Sequence, residues 1–132
     1  MEYAFRVSRK DGFLHIAVAG DNTAETVLRY LKQLHETCVN LKCPNVLVEE
    51  NLDGASLDLG EIFGLVTEGS RSVWPVVQRI AYVDVNPDHD QKNMKFAETV
   101  GVNRSVNIRV FPAVRDAENW LLEQLNPPPG KP

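Results

Sequence analysis

Residues 79–111 read RIAYVDVNPDHDQKNMKFAETVGVNRSVNIRVF, and the order of elements inside them decides the fold. RIAYVDV (79–85) is almost wholly apolar, the composition of an inner strand covered on both faces. NPDHDQKNMKFAETV (86–100) then reads as a helix. Asn93, Ala97 and Val100 fall on one face, flanked by Met94 and Phe96, and Asp88 or Asp90 stands where a cap is needed. NIRVF (107–111) is a strand again. Strand, helix and strand in this order imply parallel pairing through a right-handed crossover.

The same grammar extends upstream. NVLVEE (45–50) is another strand, and Asp58 with Glu61 fits a capping box that opens a helix whose apolar side is Leu59, Ile62, Phe63 and Val66. Pro75 ends or kinks that helix. At the start of the chain Tyr3, Phe5 and Val7 alternate with polar or small residues, and Asp11-Gly12 marks a hairpin turn. The return strand is FLHIAVAG (13–20), with Leu14, Ile16 and Val18 on one face. His15 shares the other face with Phe13 and Ala17 and reads as an ordinary strand histidine rather than a ligand. Asn22 to Glu25 resembles a second capping box, followed by Ala24, Val27, Leu28, Leu31, Leu34, Cys38 and Leu41 at helical spacing. Downstream, DAENWLLEQL (116–125) forms a last helix with Ala117, Trp120, Leu121 and Leu125 inward. The proline-rich residues 127–132 cannot continue it and are expected to be disordered. The expected fold is thus α/β, ββαβαβαβα. It is a single domain over residues 1–126, with a mostly parallel five-stranded sheet, an antiparallel first strand and four flanking helices.

A chain of 132 residues is one domain by length. Its 14 basic and 18 acidic residues leave a net charge of -4, which argues against a nucleic-acid partner. No apolar run is long enough to span a bilayer, and MEYAFRV has neither the basic nor the apolar region of a secretory signal. The expectation is a cytoplasmic protein. Cys38 and Cys43 then read as reduced, partly buried thiols; their spacing is not that of a zinc knuckle.

RIAYVDVN, KFAETVGVNR and IRVF followed by AENWL, together with VLVEENL, resemble the SpoIIAA-like (STAS, CRAL-TRIO-related) group of small bacterial proteins over about residues 2–125. The resemblance implies the fold derived above more strongly than any activity. Its CRAL-TRIO-related branch implies a small lipophilic ligand or peripheral association with a membrane surface. Its anti-sigma-factor-antagonist branch implies a regulatory protein partner met through the second helix. Members of that branch accept phosphate on a serine in a D-S-[ST]-G-like turn at the entrance of this helix. Aligning the turn's glycine with Gly60 places Asp58 and Leu59 at its hydroxyl positions and leaves Ser56 out of register. No phosphoserine switch is therefore expected, and Ser56 and Asp58 stand as helix-entrance residues, Asp58 as a cap.

Three constellations are candidates for function. Glu49, Glu50 and Asn51 end the third strand and Asp84 and Asn86 end the fourth, at the carboxyl edge where open parallel sheets bind ligands. Alternation sends Glu49 and Glu50 to opposite faces, so they are not a simple carboxylate pair. The competing structural reading has them receive loop amides, helix N-termini or a basic partner such as Arg79 or Arg104. Asn93, a polar group in an apolar stripe, either latches a loop or joins the ligand edge. Asn103 and Arg104 are expected to tie their loop to Glu98 or to a strand-edge acid. Asp84, Asp88, His89 and Asp90 are metal-ligand types, but capping explains the acids and no metal is expected. The second constellation, Val73, Trp74, Val76 and Val77 with Phe63, would be a lid or membrane contact if exposed, and core if packed beneath the second helix. The third is the helix entrance at Ser56 and Asp58. His15, His35 and His89 sit on three different elements, and neither a Gly-x-Ser-x-Gly elbow nor a glycine-rich phosphate loop is present. The expected function is a noncatalytic binding module without cofactor. Its partner is a small lipophilic molecule or a membrane surface, with a regulatory protein-interaction domain as the alternative.

Overall fold

Lys10 donates its backbone N–H to the Phe13 carbonyl at 2.9 Å, closing the tight turn at Asp11-Gly12. Gly12 holds φ at +85°, and a Cβ there would meet Leu125 Cδ1 at 2.9 Å, so both conformation and space require glycine. This turn joins β1 (Ala4–Arg9) to β2 (Leu14–Asp21) as an antiparallel hairpin. The computed structural model describes residues 3–72 and 76–126, side chains included except that of Ser72.

The chain continues through α1 (Ala24–Leu41), β3 (Asn45–Asp53), α2 (Leu59–Ser72), β4 (Arg79–Asp84), α3 (Gln91–Asn103), β5 (Ile108–Phe111) and α4 (Val114–Leu125). The sheet order is β1-β2-β3-β4-β5, and every pair after the hairpin is parallel. Because each crossover steps to the next strand in the same direction, crossovers of one hand put α1, α2 and α3 on one face of the sheet. The packing follows. Leu14, Ile16, Val18, Val46, Val48 and Ile80 point toward the three helices. Leu47, Ala81 and Val83 point the other way, onto Ala117, Trp120 and Leu121 of α4. β3 and β4 are thus buried on both sides, which is why their sequences are apolar nearly throughout.

Several helix faces differ from the sequence reading. Thr23, rather than Asn22, caps α1: its side chain accepts from the Thr26 amide, while Asn22 Nδ2 donates to the Ala55 carbonyl at 2.7 Å. The buried stripe of α1 is Thr26, Val27, Tyr30, Leu34 and Cys38, and Leu28 and Leu41, expected inward, are exposed. On α2 the inward residues are Ile62 and Leu65, while Leu59 is 50% and Phe63 46% exposed. The box that starts α2 forms as expected: Glu61 N donates to Asp58 Oδ1 at 2.7 Å and Asp58 N to Glu61 Oε1 at 3.2 Å. Asp90 caps α3 by accepting from the Lys92 amide. Val77 is fully buried in the α1–α3 core and Val76 packs against it, so neither belongs to an exposed lid. Val73 and Trp74, the rest of that expected contact, and the tail at 127–132 lie outside the described residues.

Candidate functional site

The carboxyl ends of β2, β3 and β4 converge on one turn. β3 carries Glu50 toward the α1–α3 side, where the residue is 4% exposed, and the Tyr30 hydroxyl of α1 donates to its Oε2. The Tyr82 hydroxyl of β4 also hydrogen-bonds this carboxyl. Burial pushes Glu50 up to about 7, against the pull of the two tyrosines, with Asp84 raising it further and His89 lowering it. Both tyrosine hydroxyls are driven above their ordinary value, by burial first and by the neighbouring carboxyl second.

Asp84, at the end of β4, holds the loop that follows. Its Oδ1 accepts from the Asn86 amide at 3.0 Å and its Oδ2 lies 2.6 Å from His89 Nδ1. His89 Nε2 lies 2.8 Å from the Gly54 carbonyl. A carboxylate and a carbonyl both accept, so both ring nitrogens must carry hydrogen and His89 is an imidazolium. Burial alone would lower its pKa, but the bonds to Asp84 and Gly54 outweigh it and the net direction is up. Asn86 completes the clasp by donating to the Leu52 carbonyl at 2.8 Å and accepting from the Asp88 amide. Asn93, in the first turn of α3, donates to the Leu57 carbonyl at 2.9 Å, and Ser56 Oγ accepts from the Asp90 amide. The β3–α2 connection is therefore pinned from three sides.

Beneath α2, between that connection and the sheet, lies a cavity of about 130 Å³. Its walls are mostly hydrocarbon, from Val27, Leu31, Val48, Ile62, Leu65, Val66, Ile80 and Met94, and Glu50, Tyr82 and His89 stand at its polar end. Among the described residues no lysine or arginine lines it. Gly69 and Ala97 contribute to its wall, and their small side chains leave the space open. The outer side of α2 differs. On its α1 flank Ala24, Leu28, Leu31, Gly64 and Leu65 floor a surface groove, rimmed by Glu25, Arg29, Lys32, Glu61 and Glu68, and Leu31 and Leu65 line both this groove and the cavity. Phe63 is not part of that groove: on the α3 flank of α2 the Arg104 guanidinium lies 4.8 Å above its ring.

Of the strand-edge residues, Glu50, Asp84 and Asn86 meet in one buried cluster, and Asn93 anchors the adjoining loop. Glu49 faces the opposite side of the sheet, where His15 Nε2 is 2.8 Å away, and Asn51 is exposed. Neither Arg79 nor Arg104 reaches the acids: Arg79 donates to Asn45, and Arg104 to the Val100 carbonyl. Glu98 instead accepts from the Val110 amide, sealing part of the β5 edge. Tyr30 and Tyr82 were not among the site residues the sequence singled out, and His89 was weighed there only as a metal-ligand type. For Tyr30 a signal existed, since it is four residues before Leu34 and on its face. Among the described residues no group of three His, Cys, Asp or Glu side chains could hold a metal ion, and no helix is long and apolar enough to cross a membrane. Cys38 and Cys43 are free and buried, and burial together with the neighbouring Cys43 pushes the Cys38 thiol up to about 12.

This architecture is shared with solved structures. Over 90% of its own length and 93% of theirs, the chain is similar to two of them. One is an anti-sigma factor antagonist from Mycobacterium paratuberculosis, at 13% identity and a TM-score of 0.57. The other is an uncharacterized protein with a SpoIIAA-like fold from Shewanella loihica PV-4, at 19% identity and a TM-score of 0.54. No protein-family model matches the chain, and no curated protein matches it. The fold is SpoIIAA-like: a mixed five-stranded sheet with three helices on one face and one on the other.

Proposed function

We propose that the protein is a noncatalytic regulatory module that docks another protein on the outer face of α2. The observation that carries this reading is the exposed apolar pair Leu59 and Phe63 on α2, with the Arg104 guanidinium over the Phe63 ring. Exposed apolar residues ringed by charge are the anatomy of a protein interface. An anti-sigma factor antagonist of the same fold supports a regulatory partner. Ser56 is tied to the Asp90 amide and Asp58 occupies the helix entrance, so the docking needs no phosphoserine. His89 is no general base in this arrangement, since both its ring nitrogens face acceptors. Calorimetric titration against anti-sigma factors of the same organism tests the proposal. A paired substitution, Leu59→Asp with Phe63→Asp, should abolish binding and leave the melting temperature nearly unchanged. Wild-type affinity in that variant would refute it.

A second reading is favoured by the cavity: a small lipophilic ligand held under α2. The two readings use opposite sides of one helix. Native mass spectrometry of the protein as purified tests the second through a noncovalent mass adduct.

A further inference from the structure

We propose that the cavity under α2 takes a compact, neutral, benzene-sized molecule with at most one hydroxyl group, and excludes long-chain fatty acids. The proposal rests on the lipophilic-ligand reading and narrows it by size and charge.

Size comes from the volume. The cavity measures about 130 Å³. A hydrocarbon-lined cavity of about 150 Å³ in another protein stays dry and binds benzene, so roughly six nonhydrogen atoms fit here. A twelve-carbon chain held wholly inside would need α2 to lift off the sheet and break the Asn93 latch to Leu57.

Charge comes from the wall. Among the described residues no lysine or arginine faces the space, and His89, the cation at its end, is already paired with Asp84 and Gly54. A ligand carboxylate would arrive desolvated, without a counter-charge, beside Glu50 and Asp84. A neutral ring loses nothing on entry. A single hydroxyl would meet the Glu50–Tyr82 end, which offers hydrogen-bonding oxygens to neutral partners.

Shape comes from the apolar part of the lining, which is mostly branched aliphatic. Ile62 and Leu65 descend from α2, and Val48 and Ile80 rise from the sheet. Such walls fit a flat ring or a short branched chain.

The test uses the whole chain with toluene, phenol and laurate, read by melting temperature and by methyl-resolved NMR. Toluene and phenol should raise the melting temperature in a concentration-dependent way, as any ligand of the native state must. They should also show contacts to the Ile62 and Leu65 methyls, and laurate should do neither. Ala97→Leu should fill the space and remove both effects while keeping the fold. If that variant fails to fold, Val66→Met serves in its place. Laurate binding at these methyls without toluene or phenol would overturn the size and charge assignment and leave the broader ligand reading standing. Failure of all three probes would overturn both. Toluene or phenol shifts that persist in the filled variant, or that lack contacts to the two methyls, would overturn the cavity as their site.

Discussion

Glu50 places an ionisable group at the centre of the helix-covered core, and its chemistry gives the fold a pH dependence. Its carboxyl titrates near 7 when folded and at the ordinary value of about 4.5 when unfolded. Below both values the proton is bound in both states. As pH rises past the unfolded value, only the unfolded chain ionises freely, so stability falls until the folded value is passed. The loss amounts to roughly 3 kcal/mol at most, because a shift of one unit is worth about 1.4 kcal/mol. His89 adds a second loss at higher pH. Its folded pKa is raised, so its contribution is full below the unfolded value of 6.5 and disappears as pH climbs through the folded one. Urea denaturation between pH 4 and 9 should therefore show stability declining across two windows. Glu50→Gln should flatten the lower window and leave the upper one, since an amide cannot ionise. An unchanged pH profile in Glu50→Gln would mean that Tyr30 and Tyr82 hold the carboxyl ionised and that burial does not dominate.

The elements themselves were legible where a local rule and a tertiary need coincide. The hairpin at Asp11-Gly12, the box at Asp58 and Glu61, and the cap at Asp90 each satisfy backbone groups within a few residues, so spacing alone carries them. Helix faces were less legible. On α1 periodicity favoured Leu28 over Tyr30, because apolarity is countable in sequence and a tyrosine's buried carboxylate partner is not. On α2 the same counting drew Leu59 and Phe63 inward, whereas Asp58 and Glu61 fix the helix so that Ile62 and Leu65 face the sheet. The role of His89 was illegible for a related reason: its acceptors, Asp84 and the Gly54 carbonyl, come from the end of β4 and the β3–α2 connection. These distinctions can be measured. Asp58→Ala should cost on the order of 1 kcal/mol through loss of the cap. Ser56→Ala should cost less, since the Asp90 amide it releases is solvent-accessible and water can replace the bond. Gly101→Ala would bring a Cβ to 2.6 Å from Ile108 Cγ2, and overpacking of that kind costs roughly 1–3 kcal/mol. Chemical denaturation of the three variants checks the order, and a larger loss from Ser56→Ala than from Asp58→Ala would mean that the pin to Asp90 matters more than the cap.

Across the whole molecule the two faces of the sheet are built differently. On one side α4 lies against β3, β4 and β5 through Ala117, Trp120 and Leu121, with the Phe111 and Trp120 ring centres 5.6 Å apart. On the other, α2 sits between α1 and α3 over an open cavity, and its outer side presents Leu59 and Phe63 to solvent. A helix with a void on its inner side and exposed apolar groups on its outer side gains less from burial than its neighbours. Its opening free energy should therefore be the smaller. Native-state hydrogen exchange should find the α2 amides less protected than those of β3, with a local opening that precedes global unfolding. Filling the cavity with Ala97→Leu should raise protection along α2 selectively. The same stiffening should alter affinity for a partner on the outer face, because a helix that both ligands must order couples their binding reciprocally. If α2 amides exchange only by global unfolding in the unmodified protein, the helix is a rigid wall. The inner and outer sites would then act independently, and partner affinity would be the same with the cavity filled or empty.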